Sequence, residues 1–455
     1  MLRLHDTASG LVRELAQRDP GEVSLYVCGP TVYDLPHIGH GRSILTFDIL
    51  RRFLEWSGVR VRHVSNVTDI DDNIIKRADV LGEDAAEVAR RYEAEWWAAV
   101  DRLGALRPTD APRATSFVGR MIEVIQELID RGVAYQTSDG VYLAVEEVEG
   151  YGLLAQQDLR QLRTTERVDE GRQEEKRSPL DFVLWKLAKP GEPTWPSPWG
   201  AGRPGWHTEC VAMSLDLLGD GFDLHAGGLD LKFPHHENER AQAVVLGRRF
   251  AQHWMHHAFV VDPSGEKMSK SLGNFSSLTD LLERVDRRAY RLLLLQAHYR
   301  SPVLVDTDSV GAAERSLGTL DRLARRAVEA DLDHEAPLDR AALEPWVAAM
   351  EDDLNTVRAL ALVFDWAREA NAALDAGRAD EAARLVRLVR EATGAVGLDL
   401  EGTAEEVDPA ALDLATARDT AREARDWVAA DRLRDELVSR GWTVEDTPQG
   451  TRLRR

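Results

Sequence analysis

Residues 23–69 read VSLYVCGPTVYDLPHIGHGRSILTFDILRRFLEWSGVRVRHVSNVTD, and the way this stretch folds decides the architecture. VSLYVCG is a short β-rich run stopped by Gly29-Pro30. From Ile38 the apolar residues of IGHGRSILTFDILRRFLEWSG recur at helical spacing, and the pattern ends at Gly58. VRVRHVSNVTD then reads as a second strand. Strand, helix, strand is a βαβ unit, so the predicted fold class is α/β, opening on a parallel sheet. The unit places Cys28 at the end of its first strand and a His-x-x-His, His37 to His40, at the start of its helix.

Composition bounds the rest. A chain of 455 residues with 44% hydrophobic content buries a sizeable core and divides into about two to four domains. The N-terminus MLRLHDTASGLVREL carries charges where a signal peptide needs an apolar segment, and no apolar run approaches the ~20 residues that a bilayer demands. The expectation is a cytoplasmic protein with no membrane partner. Two cysteines so far apart in sequence form no disulfide framework, which leaves reduced thiols or metal ligation. The net charge of -21 argues against nonspecific affinity for nucleic acid, while TRLRR at the C-terminus and the mixed run from Arg418 to Arg434 leave room for a local basic groove.

Further along, 84–106 and 115–132 are helical in pattern. Between Gly140 and Gly205 the chain changes character: a short strand in GVYLAV, a charged stretch around 160–177, then the Pro/Gly/Trp-rich AKPGEPTWPSPWGAGRPG, together read as an insertion. WHTECVAMSLDLLG is predicted helical, FDLHAGG a further strand of the sheet, and FPHHENERAQAVVLG a helix started by Pro234. From Asp308 to Leu398 the sequence turns into amphipathic helices, followed by the linker EGTAEEVDPA and a last small piece in which GWTVEDTPQG reads as a hairpin.

His235 and Glu239 are four apart on the predicted helix and share one face. With Cys210 on the preceding helix and Cys28 at a strand end, four residues of metal-ligand type could converge at the top of one sheet. Singly, each has an ordinary explanation, since free cysteines are often buried hydrophobes and HHENE could be a solvated helix face. Jointly that is harder to sustain, because both cysteines stand beside motifs opening onto the same rim. HIGH, His37 to His40, starts a helix after a strand, where backbone N–H groups and the dipole favour phosphate. Far downstream, GEKMSKSLGN places two lysines among small and hydroxyl residues, a pattern suited to folding over a triphosphate. No Walker-type GxxxxGK[ST] occurs, which argues against a P-loop enzyme.

HIGH after the first strand with KMSKS downstream resembles the class I aminoacyl-tRNA synthetases. The segments YVCGPTVYD, NVTDIDDNIIKRA, DFVLWK, PGWHTECVAMS, GGLDLKFPHHENE and KMSKSLGNF are similar to the cysteinyl-tRNA synthetase family, from Leu25 to the C-terminal DTPQG. The resemblance implies a Rossmann-type catalytic domain (1–112 and 205–250) interrupted by a connective insertion (113–204). A stem-contact segment with the KMSKS loop (251–306), a helical bundle (307–400) and a small C-terminal anticodon-binding domain (401–455) would follow. It implies one Zn²⁺ per chain on Cys28, Cys210, His235 and Glu239. ATP, with Mg²⁺, would meet His37, His40, Lys267 and Lys270, with Trp206 and His225 lining the amino-acid pocket.

A Zn²⁺ so held takes one further ligand, and a substrate thiolate is a far better one than a hydroxyl, so discrimination on the order of 10⁴–10⁵ is reachable without a separate editing site. The implied reaction is adenylation of L-cysteine followed by transfer to tRNA(Cys), carried out by a monomer. A rival within reach of the same residues is a ligase that passes activated cysteine to an amino sugar, as in mycothiol synthesis. The tail AREARDWVAADRLRDELVSRGWTVEDTPQG favours tRNA, because Arg422, Trp427 and Asp431 match positions that read anticodon bases in the family, with an exposed tryptophan able to stack on a base. The segment RQLRTTERVDEGRQEEKRSP is more charged than the family pattern leads one to expect.

Overall fold

The computed structural model describes residues 1–156, 175–262, 277–332, 337–402, 409–447 and 450–454. The chain opens with an antiparallel hairpin, β1 (Arg3–Asp6) and β2 (Leu11–Glu14), absent from the sequence reading. β3 (Glu22–Val27), α1 (Ile38–Trp56) and β4 (Arg60–Ser65) then form the expected βαβ unit. Its strands are parallel and in register, Leu25 opposite His63 and Val27 opposite Ser65. Cys28 therefore follows the third strand of the chain, which is the first of the parallel sheet. Helices α2 (Asp72–Leu81), α3 (Ala85–Arg102) and α4 (Val118–Asp130) come next, of which α2 was not anticipated.

The insertion is an antiparallel sheet in sequential order, β5 (Ala134–Gln136), β6 (Gly140–Leu143), β7 (Phe182–Leu187) and β8 (Gly202–Pro204). Most of the charged segment, 157–174, lies outside the described residues. The chain then returns to the main sheet through α5 (Trp206–Leu218), β9 (Leu224–Gly228), α6 (Glu237–Val245) and β10 (His253–His257). The parallel sheet has the order β10-β9-β3-β4. Its outermost strand, at 253–257, falls past the 205–250 span expected to complete it. Val141, Leu143, Leu184 and Trp185 of the insertion share one buried cluster with Tyr26, Met121, Cys210 and Met213.

The helix start predicted at Pro234 is met by the backbone. Phe233, preceding the proline, is extended (φ -145, ψ 134), as its ring demands of the residue before it. From Pro234 the backbone is helical, His235 and His236 forming a wide first turn that runs straight into α6 at Glu237.

Beyond the sheet run β11 (Val260–Val261), α7 (Leu278–Arg284), α8 (Arg287–Leu295) and β12 (Val303–Leu304), β11 and β12 being parallel. The helices α9 (Thr307–Glu329), α10 (Arg340–Glu351), α11 (Thr356–Asp375) and α12 (Ala379–Gly394) are the predicted amphipathic region. Then come α13 (Pro409–Glu423), α14 (Trp427–Ser439) and the hairpin β13 (Thr443–Thr447) and β14 (Gly450–Arg454), antiparallel as expected. The chain divides into two compact units, Met1–Leu320 with Asp333–Leu400, and Asp321–Leu332 with Glu401–Arg455. The second has its own core of Ala411, Ala415, Leu437, Trp442 and Leu453. Among the described residues no helix is long and apolar enough to cross a membrane.

Within the first unit Asp48, on α1, is a buried junction. Its carboxylate accepts from Arg291 Nη1 at 2.5 Å, from Arg52 Nε at 2.9 Å and from the backbone N–H of Leu106 at 2.7 Å. Arg291 is itself 2% exposed, so removing the carboxylate strands a buried cation. Asp48→Ala is expected to destabilise the protein by about 3–5 kcal/mol in denaturant unfolding, against a change under about 0.5 kcal/mol for an exposed control substitution.

Candidate active site

Parallel strands deliver their carboxyl ends to one rim, and four segments meet there. Cys28 follows β3, Cys210 projects from α5, His225 stands on β9, and His235, His236 and Glu239 come from the turn into α6 and its first residues. Cys28 Sγ lies 3.7 Å from Cys210 Sγ and 3.6 Å from Glu239 Oε1, and Cys210 Sγ is 3.6 Å from His235 Nε2. His235 Nε2 is 2.9 Å from Glu239 Oε1, while His225 Nε2 meets the other oxygen, Oε2, at 2.6 Å. Two overlapping sets have donor atoms all within 4.8 Å of one another: Cys28, Cys210, His235 and Glu239, and Cys28, His225, His236 and Glu239.

The electrostatics follow from burial countered by neighbours. Burial alone would raise the Glu239 carboxyl, but His225 and His235 hold it well below the usual range. Burial would lower the His235 imidazole, yet the Glu239 carboxylate and Cys210 push it up to about 10. Burial raises the Cys28 thiol well above its ordinary value, reinforced by Cys210. Cys210 falls to about 6, its hydrogen bonds with Cys28 and His235 outweighing the opposite effect of burial. Burial and mutual contact thus tie the four groups into one electrostatic unit.

A layer of histidines supports the cluster. His236 Nε2 lies 3.2 Å from Cys28 Sγ, His236 Nδ1 lies 2.8 Å from His256 Nε2, and His256 Nδ1 lies 2.7 Å from Thr7 Oγ1. Burial pushes His236 well below its ordinary value and His256 down to about 3, so both rings are neutral. On the other side His207 Nδ1 meets His235 Nδ1 at 2.9 Å. The sequence reading missed His236, His207, His256 and Thr7. His236 was adjacent to a predicted ligand, but nothing local marks His256 or Thr7. His225, expected to line the amino-acid pocket, is fully buried and meets Glu239.

Trp206, at the start of α5, stacks on His235 with ring centroids 3.9 Å apart and 36% of its surface exposed. It borders a cleft of about 230 Å³ that also meets Cys28, Tyr33, His37, His40 and Asp230. His37 and His40 face each other at 3.6 Å across the first turn of α1. Each ring caps the other's backbone: His37 Nδ1 accepts from the His40 N–H, and His40 Nδ1 accepts from the His37 N–H, both at 3.2 Å. Trp96 and His40 meet edge to face, their ring centroids 5.4 Å apart. The connection between the cysteine and this helix is fixed by Gly29. Its N–H donates to Asn66 Oδ1 at 2.9 Å, and a Cβ there would sit 1.7 Å from the Asn66 carbonyl oxygen. Lys267 and Lys270 lie outside the described residues.

In the second unit, Trp427 begins α14 with 59% of its surface exposed, whereas Trp442 fills the core. Asp431 is exposed on the same helix, and Arg422 is engaged with Asp446 at 2.7 Å.

Comparison with known proteins agrees with this geometry. The family described as tRNA synthetases class I (C) catalytic domain matches residues 14–314, and the DALR domain matches residues 345–401. Cysteine–tRNA ligase of Halorhodospira halophila is 44% identical over 468 residues, and that of Alkalilimnicola ehrlichii 45% over 470, each alignment covering 100% of both chains. Among solved structures, Mycobacterium tuberculosis methionyl-tRNA synthetase with methionyl-adenylate superposes with a TM-score of 0.61 at 17% identity, over 82% of this chain and 89% of that one, a likeness of fold. A catalytic-domain match over most of the chain and relatives alike from end to end lead to one conclusion: the chain belongs to the cysteine–tRNA ligase family of class I tRNA synthetases.

Proposed function

We propose that this protein activates L-cysteine with ATP and transfers it to the 3′ end of tRNA(Cys), in the cytoplasm. In the first step the cysteine carboxylate attacks the α-phosphate, the bond to the β-phosphate breaks, and cysteinyl-adenylate and pyrophosphate result. In the second, a terminal ribose hydroxyl of tRNA attacks the adenylate carbonyl and AMP leaves. The observation that carries the reading is a donor set of two sulfurs, one imidazole and one carboxylate that meets, through Cys28, a cleft lined also by Trp206 and the His37–His40 helix start.

That donor set suits Zn²⁺ in type and spacing. Of the two overlapping sets, Cys28, Cys210, His235 and Glu239 is the better assignment. It brings both thiols together, and Cys28 and His235 both address the same oxygen, Oε1. His225, on Oε2, then orients the carboxylate, and His236 stands against the Cys28 sulfur. Zn²⁺ bound there would supply a soft Lewis acid that prefers the thiolate of cysteine to the hydroxyl of serine.

The chain's own groups do the remainder. Trp206 closes the amino-acid side of the cleft. The start of α1 offers its positive end to the triphosphate, with His37 and His40 beside it. Lys267 and Lys270 counter the charge on the transferring and leaving phosphates. In the second unit Trp427, exposed beside Asp431, supplies a surface on which an anticodon base stacks.

Cys210→Ser is expected to reduce metal retained after dialysis, measured by elemental analysis, and to lower kcat/KM for cysteine about 100-fold or more, as loss of a direct ligand should exceed the effect of losing an orienting group. Discrimination against serine should fall with it; full metal content and intact discrimination in this variant would refute the assignment. Lys270→Ala should depress cysteine-dependent ATP–pyrophosphate exchange on the order of 100-fold while leaving the Kd for cysteine nearly unchanged; equal loss of both would make the lysine structural. Trp427→Ala should raise the KM for tRNA roughly 10-fold, the worth of one stacked base, with pyrophosphate exchange unaffected. Transfer of labelled cysteine to tRNA and not to a glucosaminyl-inositol tests the acceptor.

A further inference from the structure

Two cysteines 182 residues apart in sequence stand with their sulfurs 3.7 Å from one another. A tetrahedral ion with zinc–sulfur bonds of ~2.3 Å calls for two sulfurs roughly 3.8 Å apart. The pair therefore already has the separation that a metal needs. Each sulfur is carried by a different element, Cys28 by the turn after β3 and Cys210 by α5, so some contact between those elements must set their distance.

Asn66, the residue after β4, meets both. Its side chain is buried, and its Oδ1 accepts from the N–H of Gly29, next to Cys28, at 2.9 Å while standing 3.9 Å from Cys210 Sγ. Its Nδ2 donates to Thr68 Oγ1 at 3.2 Å, and that hydroxyl donates to Glu209 Oε2, next to Cys210, at 2.9 Å. Thr68 and Glu209 are buried as well. The bonds run in one sense, from peptide N–H to amide, amide to hydroxyl and hydroxyl to carboxyl, so each donor has its acceptor and polarises the next. The amide is fixed in this orientation, because the Gly29 N–H only donates and must face an oxygen. The loops after β3 and β4 are also joined by their backbones, the Thr68 N–H donating to the Pro30 carbonyl at 3.0 Å and the Val32 N–H to the Thr68 carbonyl at 3.2 Å. Through the side chains of Asn66 and Thr68 this paired unit takes hold of α5.

We infer that Asn66 is a positioning residue of the sulfur cluster. One end of its amide grips the turn after Cys28, the other grips, by way of Thr68, the residue before Cys210, and the separation of the two sulfurs is set between them. What that separation serves rests on the metal assignment made above; the separation itself does not.

The experiment uses the full-length protein and two probes. The first is Zn²⁺, its Kd measured by competition with a chromophoric chelator. The second is phenylarsine oxide, which bridges two thiols that stand close together, titrated into protein freed of metal and followed by intact mass. Asn66→Ala removes both arms of the grip. Thr68→Val cuts the arm to Glu209 alone and decides the matter should the first variant fail to fold. Asn355→Ala, which deletes the cap of α11, lowers stability outside the cluster and serves as the control. Thermal unfolding establishes that each variant is folded. Expected for Asn66→Ala is a Zn²⁺ Kd raised about 10–100-fold, the worth of an orienting partner. Its arsenical adduct should weaken roughly tenfold, as the effective concentration of one thiol at the other falls. Thr68→Val should weaken both probes roughly threefold, the worth of one hydrogen bond, and Asn355→Ala neither. The inference is overturned if both probes bind the two cluster variants as tightly as the parent, or if Asn355→Ala loosens them equally. A parent protein that takes the arsenical but no Zn²⁺ overturns the metal assignment instead, and the arsenical then decides the role of Asn66 by itself.

Discussion

One fully buried carboxylate, with an imidazole against each of its oxygens, constrains the site more than any other group. Glu239 has no access to water, and a charge so placed survives only because His225 and His235 flank it. To satisfy it, β9, the turn into α6 and α6 itself must hold their registers within tenths of an ångström. The same requirement fixes the cysteines, because Cys28 reaches Oε1 and Cys210 reaches the imidazole bound to it. Removing any one member leaves the others with unpaired charge in a low-dielectric interior, so the cluster stands or falls as a unit.

The parallel sheet makes such convergence possible with little chain. Adjacent strands end at a common edge, so residues far apart in sequence arrive together without long loops. The connection from Cys28 to His37 then serves two regions at once. Its first residue belongs to the sulfur cluster and its last begins a helix, while Gly29, locked against Asn66, prevents the two from drifting independently. In physical terms the sulfur cluster and the start of α1 are two ends of one stiff turn.

Much of this was legible in the residues. The βαβ unit showed because apolar spacing changes from a continuous β-rich run to a 3.6-residue period and back, with glycine at each junction. Cys28, Cys210, His235 and Glu239 were legible as residue types near a common rim, and the hairpin near the C-terminus as a glycine-bearing turn between short strands. Other features were hidden for particular reasons. HWMHH is an edge strand, buried all the same, whose three histidines mask that burial, so the sheet was expected to end too soon. DNIIKRADVL has only two buried residues, too few to display a face. His256 and Thr7 join the site purely through tertiary contact, 249 residues apart.

The reciprocal caps at the start of α1 have a chemical corollary. An imidazole nitrogen that accepts a backbone N–H must keep its lone pair, so in both His37 and His40 the ring hydrogen resides on Nε2. The fold thereby selects one tautomer in each ring. It also sets a cost on the doubly protonated form, since an imidazolium has no lone pair to offer, and a proton gained by either ring is a helix cap lost.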